Sequence, residues 1–137
     1  MKKMNNKRGF TLAELLIVVA IIAVLVAVSI PIFTAQLRNS RLATNQANAR
    51  AAYAMAVAKE LESDVTAAAS YTYTVKTGAL VKDGTVATKS ISTAITEWDV
   101  DTTVNSKKLG DAVAETWTVI MTATGTLDGF TATYPTT

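Results

Sequence analysis

Leu15-Leu16-Ile17-Val18-Val19-Ala20-Ile21-Ile22-Ala23-Val24-Leu25-Val26-Ala27-Val28 is apolar at every position, and Ser29-Ile30-Pro31-Ile32-Phe33 continues it without a charge. From Leu15 to Phe33 this is a run of 19 residues, close to the ~20 that a helix needs to cross a bilayer's hydrocarbon at ~1.5 Å per residue. The stretch predicts a membrane-spanning helix. Ahead of it stand Lys2, Lys3, Lys7 and Arg8, with no acidic residue among Met1 to Gly9. The positive-inside bias then places Met1 in the cytoplasm and everything beyond Phe33 outside.

Composition narrows the chemistry. The chain has 137 residues, 13 Lys+Arg against 11 Asp+Glu for a net charge of +2, and neither Cys nor His. That excludes a thiolate nucleophile, a Ser-His-Asp triad, a zinc site of the N/S kind and any disulfide. No catalytic residue and no cofactor is expected, and the chain does not read as an enzyme. Taking away Met1 to Gly9 removes four of the thirteen basic residues and no acid, which leaves nine against eleven, or −2.

A plain anchor or an ordinary secretory leader explains much of this, and Ala27-Val28-Ser29 offers a small-x-small cleavage site. Neither accounts for Glu14, the only charged side chain between Gly9 and Leu37. A carboxylate inside the membrane costs roughly 2.5–3.5 kcal/mol on insertion scales. With no basic residue within two helical turns after it, its partner has to be made or brought.

The run Lys7-Arg8-Gly9-Phe10-Thr11-Leu12-Ala13-Glu14-Leu15-Leu16-Ile17-Val18-Val19-Ala20-Ile21-Ile22 resembles the class III signal of type IV prepilins and type II secretion pseudopilins. It has the short basic leader ending in Gly, then Phe, an acid four residues on, and unbroken aliphatics. Pro31 falls where that family places a proline, a helix kink or flexible point, whereas Ala23 stands where it often has Gly. The likeness is close over the first third of the chain and one of layout beyond it. It implies cleavage between Gly9 and Phe10 by a prepilin peptidase, N-methylation of Phe10, and retention of the helix in the membrane until an assembly platform polymerises the subunit. It also offers Glu14 a partner: the new Phe10 amine of a neighbouring copy, one buried ion pair per joint.

Between Thr34 and Glu62 there is no Gly or Pro, and helix formers dominate. Leu42, Ala49, Tyr53, Ala56 and Leu61 recur near a 3.6-residue period, while Arg41, Asn45, Asn48, Arg50, Lys59 and Glu62 fall mostly elsewhere. The helix is therefore expected from Thr11 to Glu62, roughly 78 Å at ~1.5 Å per residue, with lipid or other copies covering its apolar half. Arg38, Arg41 and Arg50 make a basic strip, but no aromatic or Gly-rich element accompanies it, so membrane head groups are preferred to nucleic acid as its partner.

After Ser63 the chain turns Thr-rich, which favours strands. Tyr71 to Val75 alternates large and polar, Asp83-Gly84 reads as a tight turn between Ala79–Val81 and Thr85–Ala87, and Thr116 to Thr124 pairs with Phe130 to Tyr134 through Gly125 to Gly129. Asn105 to Ala114 reads as a short helix or loop, and Trp98, Trp117 and Tyr134 as the large core residues. Asp99, Asp101, Thr103 and Asn105 alternate like calcium ligands, yet Val104 stands where the loop needs Gly and no Glu follows at the twelfth position, so a solvated loop is preferred. Asp111 and Glu115 read as an exposed i, i+4 acidic pair rather than a hydrolytic dyad.

The expected fold class is α+β, a long amino-terminal helix packed on a small antiparallel sheet. Its parts are a leader (1–9), a transmembrane and assembly half-helix (10–33), an amphipathic half-helix (34–62) and an extracellular head (63–137). The expected function is the structural subunit of a type IV pilus-like filament, a homopolymer at the cell surface made from a single-pass membrane precursor. Two alternatives stand beside it: a minor pilin or pseudopilin of a DNA-uptake or secretion machine, and a Sec-exported enzyme or adhesin cut after Ser29.

Overall fold

The computed structural model describes residues 9–64 and 66–136. Among these residues helix α1 (Leu12–Glu62) is followed by strands β1 (Ala69–Thr74), β2 (Ala79–Lys82), β3 (Thr103–Val104), β4 (Lys107–Lys108), β5 (Thr116–Met121) and β6 (Leu127–Thr133), with a 3-10 turn at Ile95–Glu97. The fold is α+β, as expected. The chain divides into two compact units, one ending at Ala35 and the other beginning at Gln36.

In the first unit every side chain from Gly9 to Ala35 is exposed. Among the described residues α1 is the helix long and apolar enough to cross a membrane. An apolar surface of this extent on a soluble monomer would be exceptional. The helix runs through Pro31, whose ring removes the donor that the Ala27 carbonyl would otherwise receive. On either side, Ser29 Oγ donates to the Leu25 carbonyl at 2.6 Å and Thr34 Oγ1 to the Ile30 carbonyl at 3.0 Å. Both hydroxyls are thereby satisfied within the helix, as an apolar surround requires.

In the second unit β2, β1, β5 and β6 form, in that order, one antiparallel sheet. Its register explains the threonines. Tyr71, Val119 and Phe130 are cross-strand neighbours, as are Tyr73, Trp117 and Ala132, and these residues join the hydrophobic core with Ala49, Ala52 and Ala56 of α1. The alternate positions bring Thr72, Thr118 and Thr131 into one row and Thr74, Thr116 and Thr133 into the next. Within those rows Thr72 pairs with Thr118 at 2.8 Å and Thr116 with Thr133 at 2.7 Å through their hydroxyls.

Alanine at i, i+3 and i+7 gives α1 a flat face that lets the sheet approach closely. Trp98 stacks on Trp117 at 5.3 Å, and both meet Phe130 edge-on. Tyr134, expected beside the two tryptophans, is half-buried. The expected stripe on α1 also needs correction. Leu61 is 84% exposed, while Asn45 and Glu60, polar in any periodicity count, are buried.

Three turns differ from expectation. No hairpin crosses Asp83-Gly84; β2 instead returns on β1 through Val75 to Gly78, where Gly78 has φ +67° and its N–H donates to the Thr74 carbonyl. The segment from Asp83 to Ile91 forms a strap along the threonine side of the sheet. Asp83 Oδ2 accepts from Ser70 and Thr72, Ala87 N–H donates to Ser70 Oγ, and Ile91 bridges Phe130. Gly129 lies beneath it, where a Cβ would stand 2.5 Å from the Ile91 carbonyl oxygen. The β5–β6 connection closes at Thr122 to Thr126, so Leu127, Asp128 and Gly129 belong to β6. Finally, Asn105 and Ser106, both at positive φ, make the two-residue turn of the β3–β4 hairpin in place of a short helix.

Candidate processing and assembly site

Gly9, Phe10 and Thr11 precede the helix in non-helical conformation. Phe10 is 91% exposed, and a Cβ built on Gly9 meets nothing within 4 Å. Nothing within the described chain therefore requires glycine at position 9 on grounds of space. The basic residues Lys2, Lys3, Lys7 and Arg8 lie outside the described residues.

Glu14 is not without a partner. Its Oε2 accepts from the Thr11 backbone N–H at 3.0 Å, while the Glu14 N–H donates to Thr11 Oγ1 at 3.2 Å. This reciprocal Thr-x-x-Glu capping box satisfies two donors that a helix amino end otherwise leaves open. The carboxylate also sits against the positive end of the helix dipole. The carboxylate thus has a neutral hydrogen-bond partner within its own subunit, which the charge argument alone did not anticipate. The signal was in the sequence as Thr11 three residues before Glu14.

The remaining candidates lie in the second unit. Asp99 Oδ1 accepts from the N–H groups of Asp101 and Thr102, closing a tight turn. Asp101 is bound by Arg38 at 2.9 Å and Lys108 at 3.1 Å, and Asn105 Nδ2 donates to the Ala132 carbonyl at 2.9 Å. The three do not converge on one point as ligands would. No group of three or more His, Cys, Asp or Glu able to hold a metal occurs among the described residues.

Asp111 and Glu115 are not on a helix, so the i, i+4 geometry expected of them does not arise. Asp111 pairs with Arg38 Nε at 3.2 Å. Arg38 thus clasps two carboxylates of the Asp99 to Asp111 loop, and its hydrogen bond to Asp101 raises its pKa further. Hydrogen bonds from Arg38 and Lys108 hold the Asp101 carboxyl below its ordinary value.

Two residues outside the candidate set position this loop and the sheet. Asn45, fully buried, donates from Nδ2 to the carbonyls of Leu109 and Ala112 at 2.9 and 2.8 Å, and accepts from Ala114 N–H at 3.0 Å. Glu60 accepts from the Tyr71 hydroxyl, whose pKa is pushed up to about 12 by burial and by that bond. No periodic signal marks either residue, because each is a polar side chain recruited to the buried face.

Residues 4–30 match the family model for the prokaryotic N-terminal methylation motif. The resemblance to the class III signal of type IV pilins and pseudopilins is thereby borne out. No curated protein and no solved structure matches the chain. A class III signal followed at once by an exposed apolar helix fits a membrane-anchored precursor.

Proposed function

We propose that this chain is a structural subunit of a type IV pilus-like extracellular filament and not an enzyme. A prepilin peptidase cuts it between Gly9 and Phe10 and methylates the Phe10 amine, and the helix from Phe10 to Phe33 then leaves the membrane to pack among copies of itself. The observation that carries this reading is the uninterrupted exposure of apolar side chains from Leu15 to Phe33 directly behind the methylation motif. Such a surface is stable only in lipid or against other apolar helices.

Chemistry at the amino end follows from the capping geometry. Cleavage turns the Phe10 nitrogen into a cation one residue before the capping Thr11. Glu14, held at the helix start by Thr11, is preset to receive the amine of an adjacent copy. Assembly exchanges a charge-assisted hydrogen bond from a neutral backbone N–H for an ion pair with a full cation. Pro31 leaves one backbone carbonyl free and marks the place where α1 yields most easily during packing.

A minor pilin or pseudopilin role uses the same chemistry. Export with cleavage after Ser29 is disfavoured, because Ser29 lies within α1 with its hydroxyl bonded back to Leu25, whereas a leader peptidase needs an unwound site. The test is Glu14→Ala in the producing cell, with the processed species followed by mass and filaments by electron microscopy. Processing should persist while filaments are lost; abundant normal filaments from that variant would remove the role given to Glu14.

A further inference from the structure

At the carboxy-terminal end of α1 is a pocket that the functions above do not use. Its volume is about 340 Å³, with Glu60, Ser63 and Thr124 supplying polar groups and Val57, Leu61 and Ala123 apolar ones. Glu60 is only 6% exposed. Its Oε1 accepts from the Tyr71 hydroxyl, but Oε2 is buried with no hydrogen-bond partner.

A half-satisfied buried carboxylate is costly unless something completes it. Among the described residues no basic side chain lines the pocket, and neighbouring Lys59 is turned to Glu62 at 2.9 Å. The last-turn carbonyls of α1 add partial negative charge at the same place. Both features call for a cation.

We propose that this pocket binds a primary ammonium group carried on a short aliphatic stem, the chemistry of a lysine side chain or a free alkylamine. The ammonium would meet Glu60 Oε2, with the hydroxyls of Ser63 and Thr124 able to accept its other N–H groups. Val57, Leu61 and Ala123 cover the methylenes. A guanidinium fits less well, since its fork needs both carboxylate oxygens and Tyr71 already holds one. A calcium ion needs six to eight oxygen ligands, and the pocket supplies one carboxylate. Oε2 itself has almost no accessible surface, so the ammonium reaches it by a partial turn of the carboxylate about its soft last torsion, which lengthens the bond to Tyr71.

The test uses the full chain in detergent micelles and does not depend on filament formation. The amide resonances of Ser63, Thr124 and Gly125 are followed while n-butylammonium chloride is added, with n-butanol and sodium chloride as controls. Saturable shifts are expected with butylammonium alone, and binding at least ten-fold weaker in Glu60→Gln, which keeps an acceptor for Tyr71. Should that variant fail to fold, Thr124→Val removes one hydroxyl at the pocket rim and should weaken binding several-fold. No response to butylammonium, an equal response to butanol, or undiminished binding in the folded variants overturns the proposal. Zero-length carbodiimide coupling in assembled filaments then separates the sources. A Glu60–lysine link between copies supports a neighbouring subunit as the natural occupant, and amine binding without such a link supports a free amine.

Discussion

Replacing Asn45 by leucine keeps the branching of the side chain and removes the three hydrogen bonds by which its amide holds the Leu109 to Ala114 segment. Each bond contributes about 1 kcal/mol net, and each partner left buried without a replacement costs about 1–3 kcal/mol. Two carbonyls and one N–H are left, so the expected loss is about 3–9 kcal/mol. That is a large fraction of the ~5–15 kcal/mol that holds a typical domain together. Asn45→Asp should be no better, because it keeps the acceptor for Ala114 but turns a carboxylate oxygen toward two carbonyls. Gln46→Leu is the control: its Nε2 reaches the carbonyls of Ile95 and Trp98 at 3.2 and 3.1 Å from a half-buried position, where water can replace it, and should cost about 1 kcal/mol. Urea unfolding of the full chain in micelles measures this, with the stacked Trp98–Trp117 pair as the fluorescence reporter. An Asn45→Leu variant within about 1 kcal/mol of the parent would refute the reasoning that the buried amide ties helix to loop.

Other perturbations follow from the same geometry. Gly129→Ala forces a Cβ to within 2.5 Å of the Ile91 carbonyl oxygen, so the strap should detach from β6; amide exchange at Ser90, Ile91 and Phe130 should rise, and unchanged protection would count against the strap. Thr11→Ala removes one half of the capping box and should cost the start of α1 about 1 kcal/mol, read as faster exchange confined to the first turn, with exchange deeper in the helix unaffected. Burial raises the pKa of Tyr71 and Tyr134 to about 12, with the Glu60 bond adding to the effect at Tyr71. Their neutral forms therefore stabilise the fold fully below the ordinary tyrosine value of about 10, and that contribution is lost as pH rises from there toward 12. Absorbance at 295 nm should show two late phenols titrating together with loss of near-UV circular dichroism; complete ionisation by about pH 11 with the fold intact would contradict the burial argument.

Much of the helix was legible because its signals are cumulative. A 19-residue uncharged run and a following stretch without Gly or Pro need no knowledge of tertiary contacts to be read. The β5–β6 hairpin and the strand character of the Thr-rich stretch were legible for a similar reason, since alternation along a strand survives small errors in where a turn closes. The strap from Asp83 to Ile91 has no periodicity to betray it; it is held by the Ser70 hydroxyl, the Asp83 carboxylate and backbone groups. Asn45 falls off the expected apolar stripe and Glu60 goes unmarked, yet both are buried, because hydrophobic patterning has no means of recognising a polar side chain that is buried to satisfy others. Glu14 reads as anomalous for a membrane segment by its charge, and Thr11 supplies it a neutral hydrogen-bond partner within the subunit. Weighing its charge against the membrane hid the short-range Thr-x-x-Glu pattern.

The central claim is that the apolar helix is kept and only Met1 to Gly9 is removed. Mass analysis of the intact mature protein, with sequencing of its amino-terminal peptide, tests this most directly. The account predicts a chain that begins at Phe10 and carries one added methyl group on its amine. A mature protein beginning at Ile30, with the apolar segment gone, would contradict it.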